Sequence, residues 1–195
     1  MDDTLARLVQ PQTHWHIMSL TPANKEQVIT EQTADLLICD HLSAHCSDMR
    51  ALLSDWVKVI KPGGWLAIQD TVVPGSRLRG KKANLQRRAG DYINMVLRWG
   101  DGGNGRNLCQ DEWLDILRIV NMIYIQHEIS RHEIEFTHWL SNTNLTPGNR
   151  IRLRALLRQT PEPVAAFLTP KTANDRITFF LTELTLVGRL EIDKA

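Results

Sequence analysis

Three cysteines in 195 residues are too few for a disulfide framework, and a chain of 22.3 kDa can bury a core without one. Charge of one sign is also missing. Lys plus Arg total 23 against 22 acidic residues, a formal net charge of +1. That balance predicts no strong overall field and argues against a dedicated nucleic-acid binder, whose affinity rests on a basic face. No apolar run approaches the roughly 20 residues needed to cross a bilayer, and Met1-Asp2-Asp3-Thr4 is unlike the basic-then-apolar start of a secretion signal. Repeats and low-complexity stretches are absent, as is any linker rich in Pro, Gly or Ser. Hydrophobic residues at 43% and charged residues at 23% are ordinary for a globule. The expectation is one cytoplasmic domain spanning residues 1–195.

Apolar spacing marks the helices. Met49, Leu52, Leu53, Trp56, Val57 and Ile60 recur at three- and four-residue steps, after a capping Ser47 or Asp48 and before the stop Lys61-Pro62-Gly63-Gly64. A second helix turns Trp113, Ile116, Leu117 and Val120 inward and has Asp111 and Glu112 in its first turn, where negative charge suits the dipole. A third, from Ala83 to Trp99, turns Leu85, Tyr92, Ile93, Val96 and Leu97 inward. A fourth, from Pro147 to Gln159, sets Ile151, Leu153, Leu156 and Leu157 against a solvated stripe of Arg150, Arg154 and Arg158. Leu36–Cys39 and Trp65–Ile68 are continuous apolar runs, the pattern of strands covered on both faces, and Trp15–Met18 is a weaker one. Met122–Ile129 and Ile177–Leu190 suit a C-terminal antiparallel pair. Strand, helix, strand repeats through residues 14–70, which reads as an α/β layer.

The stretch Ala34-Asp35-Leu36-Leu37-Ile38-Cys39-Asp40, a helix, and then Val59-Ile60-Lys61-Pro62-Gly63-Gly64-Trp65-Leu66-Ala67-Ile68-Gln69-Asp70 resembles the middle of class I S-adenosylmethionine-dependent methyltransferases. Asp70-Thr71-Val72-Val73-Pro74, Gly90-Asp91-Tyr92-Ile93-Asn94, the Glu112-Trp113 helix and the last strands resemble the type-11 branch, which includes relatives of the ubiquinone and menaquinone C-methyltransferases. The resemblance implies a Rossmann-like sheet, mostly parallel with a C-terminal antiparallel strand pair and helices on both faces. Members of the family begin with a strand, a glycine-rich loop that approaches the cofactor, and a second strand ending in a ribose-binding carboxylate. Nothing like these precedes Trp15–Met18. The chain therefore reads as N-terminally truncated relative to the family, with Met1–Val9 matching the helix after the second strand. Gly100-Asp101-Gly102-Gly103-Asn104-Gly105 matches G-x-G-x-x-G by letter, but it follows a helical pattern and reads as a flexible loop.

By the resemblance, Ser19, Leu20, Asp40, His41 and His45 border the S-adenosylmethionine pocket at the carboxyl ends of strands, Thr71 and Tyr92 face the methyl acceptor, and Asp70 is the candidate catalytic group. Asp70 orients an acceptor, acts as its base, or fixes the following turn. Tyr92 belongs to a lid or to the core. Cys39, His41, His45 and Cys46 lie too close in sequence to close a zinc tetrahedron, so no metal is expected. The acid-free basic run Arg77, Arg79, Lys81, Lys82, Arg87 and Arg88 is a solvated connector, or a contact for an anionic substrate or membrane surface.

The implied function is methyl transfer from S-adenosylmethionine to a small molecule, by this chain or as the C-terminal portion of such an enzyme. The alternative is an inactive remnant serving as a binding or assembly subunit. With the glycine loop absent, residues 1–195 are expected to bind the cofactor weakly or not at all. The resemblance also leaves Leu36–Cys39 as a sheet edge, covered either by Trp15–Met18 sliding beside it or by a second copy in a homodimer.

Overall fold

The computed structural model describes residues 33–191, apart from 102, 142 and 144. They belong to one compact unit, residues 31–195. The expected strand at Trp15–Met18, the expected helix at Met1–Val9 and the sites at Ser19 and Leu20 lie outside the described residues, and so does any slide of Trp15–Met18.

Strand β1 (Ala34–Asp40) is followed by a short turn, helix α1 (Met49–Trp56) and strand β2 (Ile60–Val72). Helices α2 (Lys81–Asp101) and α3 (Gln110–Ile119) lead to strand β3 (Met122–Glu135). The helical turn α4 (Phe136–Trp139), helices α5 (Pro147–Arg158) and α6 (Glu162–Leu168), and strands β4 (Lys171–Ala173) and β5 (Arg176–Leu190) complete the order. The sheet runs β1-β2-β5-β3, with β4 also paired to β5.

Strands β1 and β2 are parallel, whereas β2–β5, β3–β5 and β4–β5 are antiparallel. Among the described residues the sheet is therefore mostly antiparallel, which corrects the expectation of a mostly parallel one. The reason is topological: β5 runs against its neighbours and sits between β2 and β3, so every pairing it makes is antiparallel. The expected pair Met122–Ile129 with Ile177–Leu190 forms and extends further, to Glu135 and Arg176.

Helix α1 stops at Trp56, four residues before the expected Ile60. A tight turn at Val57–Val59 follows, and Ile60 already pairs with Ala34. Lys61-Pro62-Gly63-Gly64 is a bulge inside β2 rather than the end of a helix. The register steps from Ala34↔Ile60 to Leu36↔Trp65, and Gly63 takes a left-handed φ of 76° to make the step. Arg189 Nε donates to the Gly63 carbonyl at 2.8 Å, and Lys61 Nζ donates to Asp35 at 2.8 Å, pinning the bulge to both neighbouring strands.

One face of the sheet carries Leu37, Cys39, Leu66, Ile68, Leu184 and Leu186, all buried. Helix α1 turns Met49, Leu53 and Trp56 inward and packs on α3, whose Trp113, Ile116 and Leu117 are buried as expected. A second core joins Ile177 and Phe179 of β5 to Ala89, Ile93, Val96 and Leu97 of α2, Leu153 and Leu157 of α5, and Leu168 of α6. Strand alternation puts Ile177 and Phe179 on the face opposite Leu184 and Leu186, so helices cover both faces at different places.

Several apolar positions lie outward, against expectation. Ile38 is 51% exposed and Trp65 39%, so β1 and the start of β2 are not covered on both faces by described residues. Leu85 of α2 and Ile151 of α5 are exposed as well. The arginine stripe of α5 is more than a solvated face. Arg154 and Arg158 both hold Asp175 in the β4–β5 turn, and Arg150 donates to the Leu140 and Thr143 carbonyls.

The segment after α2 packs closely. Gly105 N–H donates to the Ala44 carbonyl at 2.9 Å, and Asn94 clamps Asn107 by accepting from its N–H and donating to its carbonyl. A Cβ at Gly105 would overlap the carbonyl oxygens of Ser43 and Cys46. Gly148, in the first turn of α5, has nothing within 4 Å of such an atom. Gly105→Ala is therefore expected to destabilise by roughly 1–3 kcal/mol, and Gly148→Ala to stabilise by about 0.4–1 kcal/mol through the unfolded chain. Urea unfolding of the two variants checks the opposite signs.

Candidate functional site

Strand alternation decides which side chains meet at the carboxyl end of β1. Asp40 stands beside Gln69, and Thr71 beside Glu183, on the face opposite the α1–α3 layer. Directly after Asp40 the backbone of His41 turns left-handed, with φ 48°, while its N–H donates to the Gln69 carbonyl at 2.8 Å. The turn brings the imidazole between two carboxylates. Nδ1 lies 2.6 Å from Asp40 Oδ1, and Nε2 lies 3.2 Å from Glu183 Oε1.

Glu183 is the hub. Its other oxygen, Oε2, accepts from Gln69 Nε2 at 3.1 Å and lies 3.1 Å from His132 Nε2. Ser130 Oγ is 2.9 Å from the same His132 nitrogen. Strands β1, β2, β3 and β5 thus each contribute a side chain to one polar network. Glu183 is its sheltered member, with its side chain 18% exposed, while those of His41, His132 and Asp40 are 45%, 43% and 70% exposed.

Because ionised carboxylates only accept, both ring nitrogens of His41 are placed to donate, which is the imidazolium form. Partial burial works against that charge, but the hydrogen bonds and charges of Asp40 and Glu183 outweigh it, and the His41 pKa rises above 6.5. Among the described residues no group of three or more His, Cys, Asp or Glu side chains is arranged to hold a metal ion. The network is one of proton donors and acceptors.

Asp70 is placed differently. It lies on the other face, 1% exposed, where Oδ2 accepts the Ser43 N–H at 2.9 Å and Oδ1 accepts the Ser43 hydroxyl at 2.8 Å. Burial raises its pKa above 3.8, although the Ser43 hydrogen bonds pull it down. The same burial, with the charge of Asp70 added, pushes the nearby Cys39 thiol up to about 12, so it stays an inert core residue. Asp70 therefore ties the turn after β1 to β2. His45 is exposed in that turn, and Tyr92 is bound into the second core, its hydroxyl donating to the Leu156 carbonyl at 3.1 Å. Of the expected site residues, the structure brings Asp40, His41 and Thr71 together, and it leaves Asp70, His45 and Tyr92 out of the network.

Glu183, Gln69, Ser130 and His132 were missed from the sequence. The one available signal was Glu183 itself, the single acid in the otherwise apolar and threonine-rich run Ile177–Gly188. Away from this network, a groove of about 290 Å³ between α1 and α3 is lined by Asp48, Arg50, Arg106 and Glu112 among others, with Arg106 and Glu112 paired to each other.

Comparison with known proteins bears on the fold. The chain overlays a Bacillus halodurans protein, whose methyltransferase assignment is itself provisional, with a TM-score of 0.73 and 16% identity, over 84% of this chain and 73% of that one. It overlays the Bacillus subtilis protein YcgJ with a TM-score of 0.74 and 16% identity, over 84% and 67%. These likenesses show the fold alone, which is similar to that of a protein described as a methyltransferase. An uncharacterised Escherichia coli K12 protein, YafE, is 25% identical over 107 residues, which is 55% of this chain and 47% of that protein. The chain thus spans about half the length of the curated relative it matches. No family model matches the sequence. Among the described residues no helix is long and apolar enough to cross a membrane.

Two outcomes follow from the geometry. Asp70→Ala leaves two buried Ser43 donors unpaired, at roughly 1–3 kcal/mol each, whereas Asp70→Asn keeps an acceptor and should cost less; urea unfolding separates them. His41 gains carboxylate partners on folding, so its contribution to stability is complete below pH 6.5 and is lost as pH rises through its higher folded value. The melting temperature of His41→Asn should show a smaller fall than wild type across that window.

Proposed function

We propose that the described residues form the acceptor-side half of an S-adenosylmethionine-dependent methyltransferase acting on a small molecule, of the type-11 branch that the sequence resembles. The observation that carries the reading is the Asp40–His41–Glu183–His132 network at the carboxyl end of β1, the place where open α/β sheets take their ligands. The residues there suit the cofactor. Asp40 is an exposed carboxylate that accepts hydrogen bonds from amine or hydroxyl groups, and Ile38, two residues earlier on the same face, offers an apolar platform. S-adenosylmethionine, when bound, supplies an electrophilic methyl group on a positively charged sulfonium.

The side chains have separate tasks. Asp40 and His41 hold the donor side, and His45 borders it from the following turn. Glu183 faces the acceptor, fixed in orientation by Gln69. A proton lost by the acceptor is taken at Glu183 and passes to His132 Nε2, and the half-exposed ring releases a proton to water from its other nitrogen, Nδ1. Thr71, opposite Glu183, lines the acceptor side. Asp70 acts through Ser43 by holding the turn that carries His41, and Tyr92 acts by anchoring α2.

Saturation-transfer NMR with S-adenosylmethionine tests this, because it detects even weak binding to residues 1–195. The cofactor signal should appear with wild type, disappear in the Asp40→Ala/His41→Ala double variant, and persist in His132→Ala. A signal unchanged in the double variant would remove the donor from this site. No signal from wild type would turn the reading to a non-catalytic binding or assembly subunit.

A further inference from the structure

The stretch Ser76–Gly90 holds six basic side chains and no acidic one, in a chain whose net charge is only +1. The structure separates them by task. Arg77 pairs with Asp115 at 2.5 Å, and its backbone N–H donates to Asp111. Arg87 donates to the Ser76 and Leu78 carbonyls, which shapes the loop before α2 but leaves its charge at the surface. Arg79, Lys81, Lys82 and Arg88 are exposed. The acids adjoining this stretch are Asp111 and Asp115 of α3, both engaged by Arg77, and the exposed Asp91 of α2, so the local excess stays positive.

The same surface displays apolar groups. Leu78, inside the basic loop, is 74% exposed. Along α2, Leu85, Met95 and Trp99 are 43%, 38% and 39% exposed, and helical periodicity sets them on one side with Lys81 and Arg88, interrupted midway by Tyr92, which turns to α5. The inward stripe is Ala83, Ala89, Ile93, Val96 and Leu97. From Lys81 to Trp99 the outer side runs roughly 27 Å, at about 1.5 Å per residue.

We propose that α2 and the loop before it dock on an anionic lipid bilayer. Basic side chains are drawn to the negative surface of such a membrane, while leucine and tryptophan settle at the boundary between headgroups and acyl chains. The apolar members select this partner over a polyanion. A phosphate backbone gives an exposed Leu78 and Trp99 nothing to bury against, whereas a membrane interface favours both. The inference is independent of methyl transfer, since binding needs neither the cofactor nor Glu183.

Co-sedimentation of the full chain with phosphatidylcholine vesicles containing about 30 mol% phosphatidylserine tests it. The protein should pellet with these vesicles at low salt, remain in solution with pure phosphatidylcholine, and be released as salt screens the surface. Arg79→Ala/Lys82→Ala should bind about 30-fold more weakly through the loss of two cations near the surface, and Leu78→Ser about tenfold more weakly through loss of its buried area. All three positions are exposed, so the variants should keep the wild-type melting temperature. Equal pelleting with both vesicle types, no pelleting at all, or undiminished pelleting of both variants would overturn the proposal. Complete release by millimolar inorganic phosphate would also overturn it, in favour of a soluble phosphate ligand.

Discussion

Strand β5 is the constraint on which the rest depends. Fifteen residues long and antiparallel to β2, β3 and β4, it makes most of the pairings of the described sheet. Its odd-numbered residues change character along the strand. Ile177 and Phe179 are sealed under α2, α5 and α6, Leu181 is partly buried at the edge of that core, and Glu183 comes next on the same face. A carboxylate at that step is half out of the core: sheltered enough to act strongly on its neighbours, yet open enough to remain hydrated. One strand thereby supplies the wall of a core and the hub of a polar site. Moving Glu183 by a single residue would direct it into the α1–α3 layer, where a lone charge would lack its partners.

Electrostatics at the site follow from that placement. Two carboxylates flank His41, and one of them is shared with His132, so the network has more acceptors than fixed protons. Such a cluster favours cationic or proton-donating ligands and disfavours anionic ones. The opposite preference holds at the loop before α2, where basic groups dominate and acids are few. A nearly neutral chain thus carries two surfaces of opposite character, which the net charge of +1 conceals.

Much of the fold was legible because local pattern and tertiary packing agree. The inward set Trp113, Ile116 and Leu117, the β3–β5 pairing and the β1–α1–β2 crossover could all be read from spacing. The end of α1 could not. Helical periodicity continues through Val57 and Ile60, but the pairing of Ile60 with Ala34 wins, and Pro62-Gly63-Gly64 then serves as a bulge rather than a terminator. Leu85 and Ile151 fit an inward helical stripe by spacing and yet face outward, since periodicity marks apolar positions without saying which neighbour covers them. The polarity of the sheet was missed for a different reason: whether a strand runs with or against its neighbours depends on where it is inserted, and no local pattern encodes that.

The site was legible only on the strand where the resemblance was strongest. Asp40 and His41 follow directly from β1, but their partners lie on β2, β3 and β5, from 28 to 142 residues away in the chain. The adjacent pair Gln69 and Asp70 shows why sequence position alone could not settle the roles. Both lie near the end of the same strand, and acidity draws attention to Asp70. The two-residue period of the strand gives Asp70 to the buried face, where Ser43 occupies both its oxygens, and Gln69 to the open face, where it steadies Glu183. The charged member of the pair builds the turn that carries His41, and the neutral member reaches the network. Pairing register therefore divides structural work from chemistry at this end of the sheet, and side-chain type alone does not reveal the division.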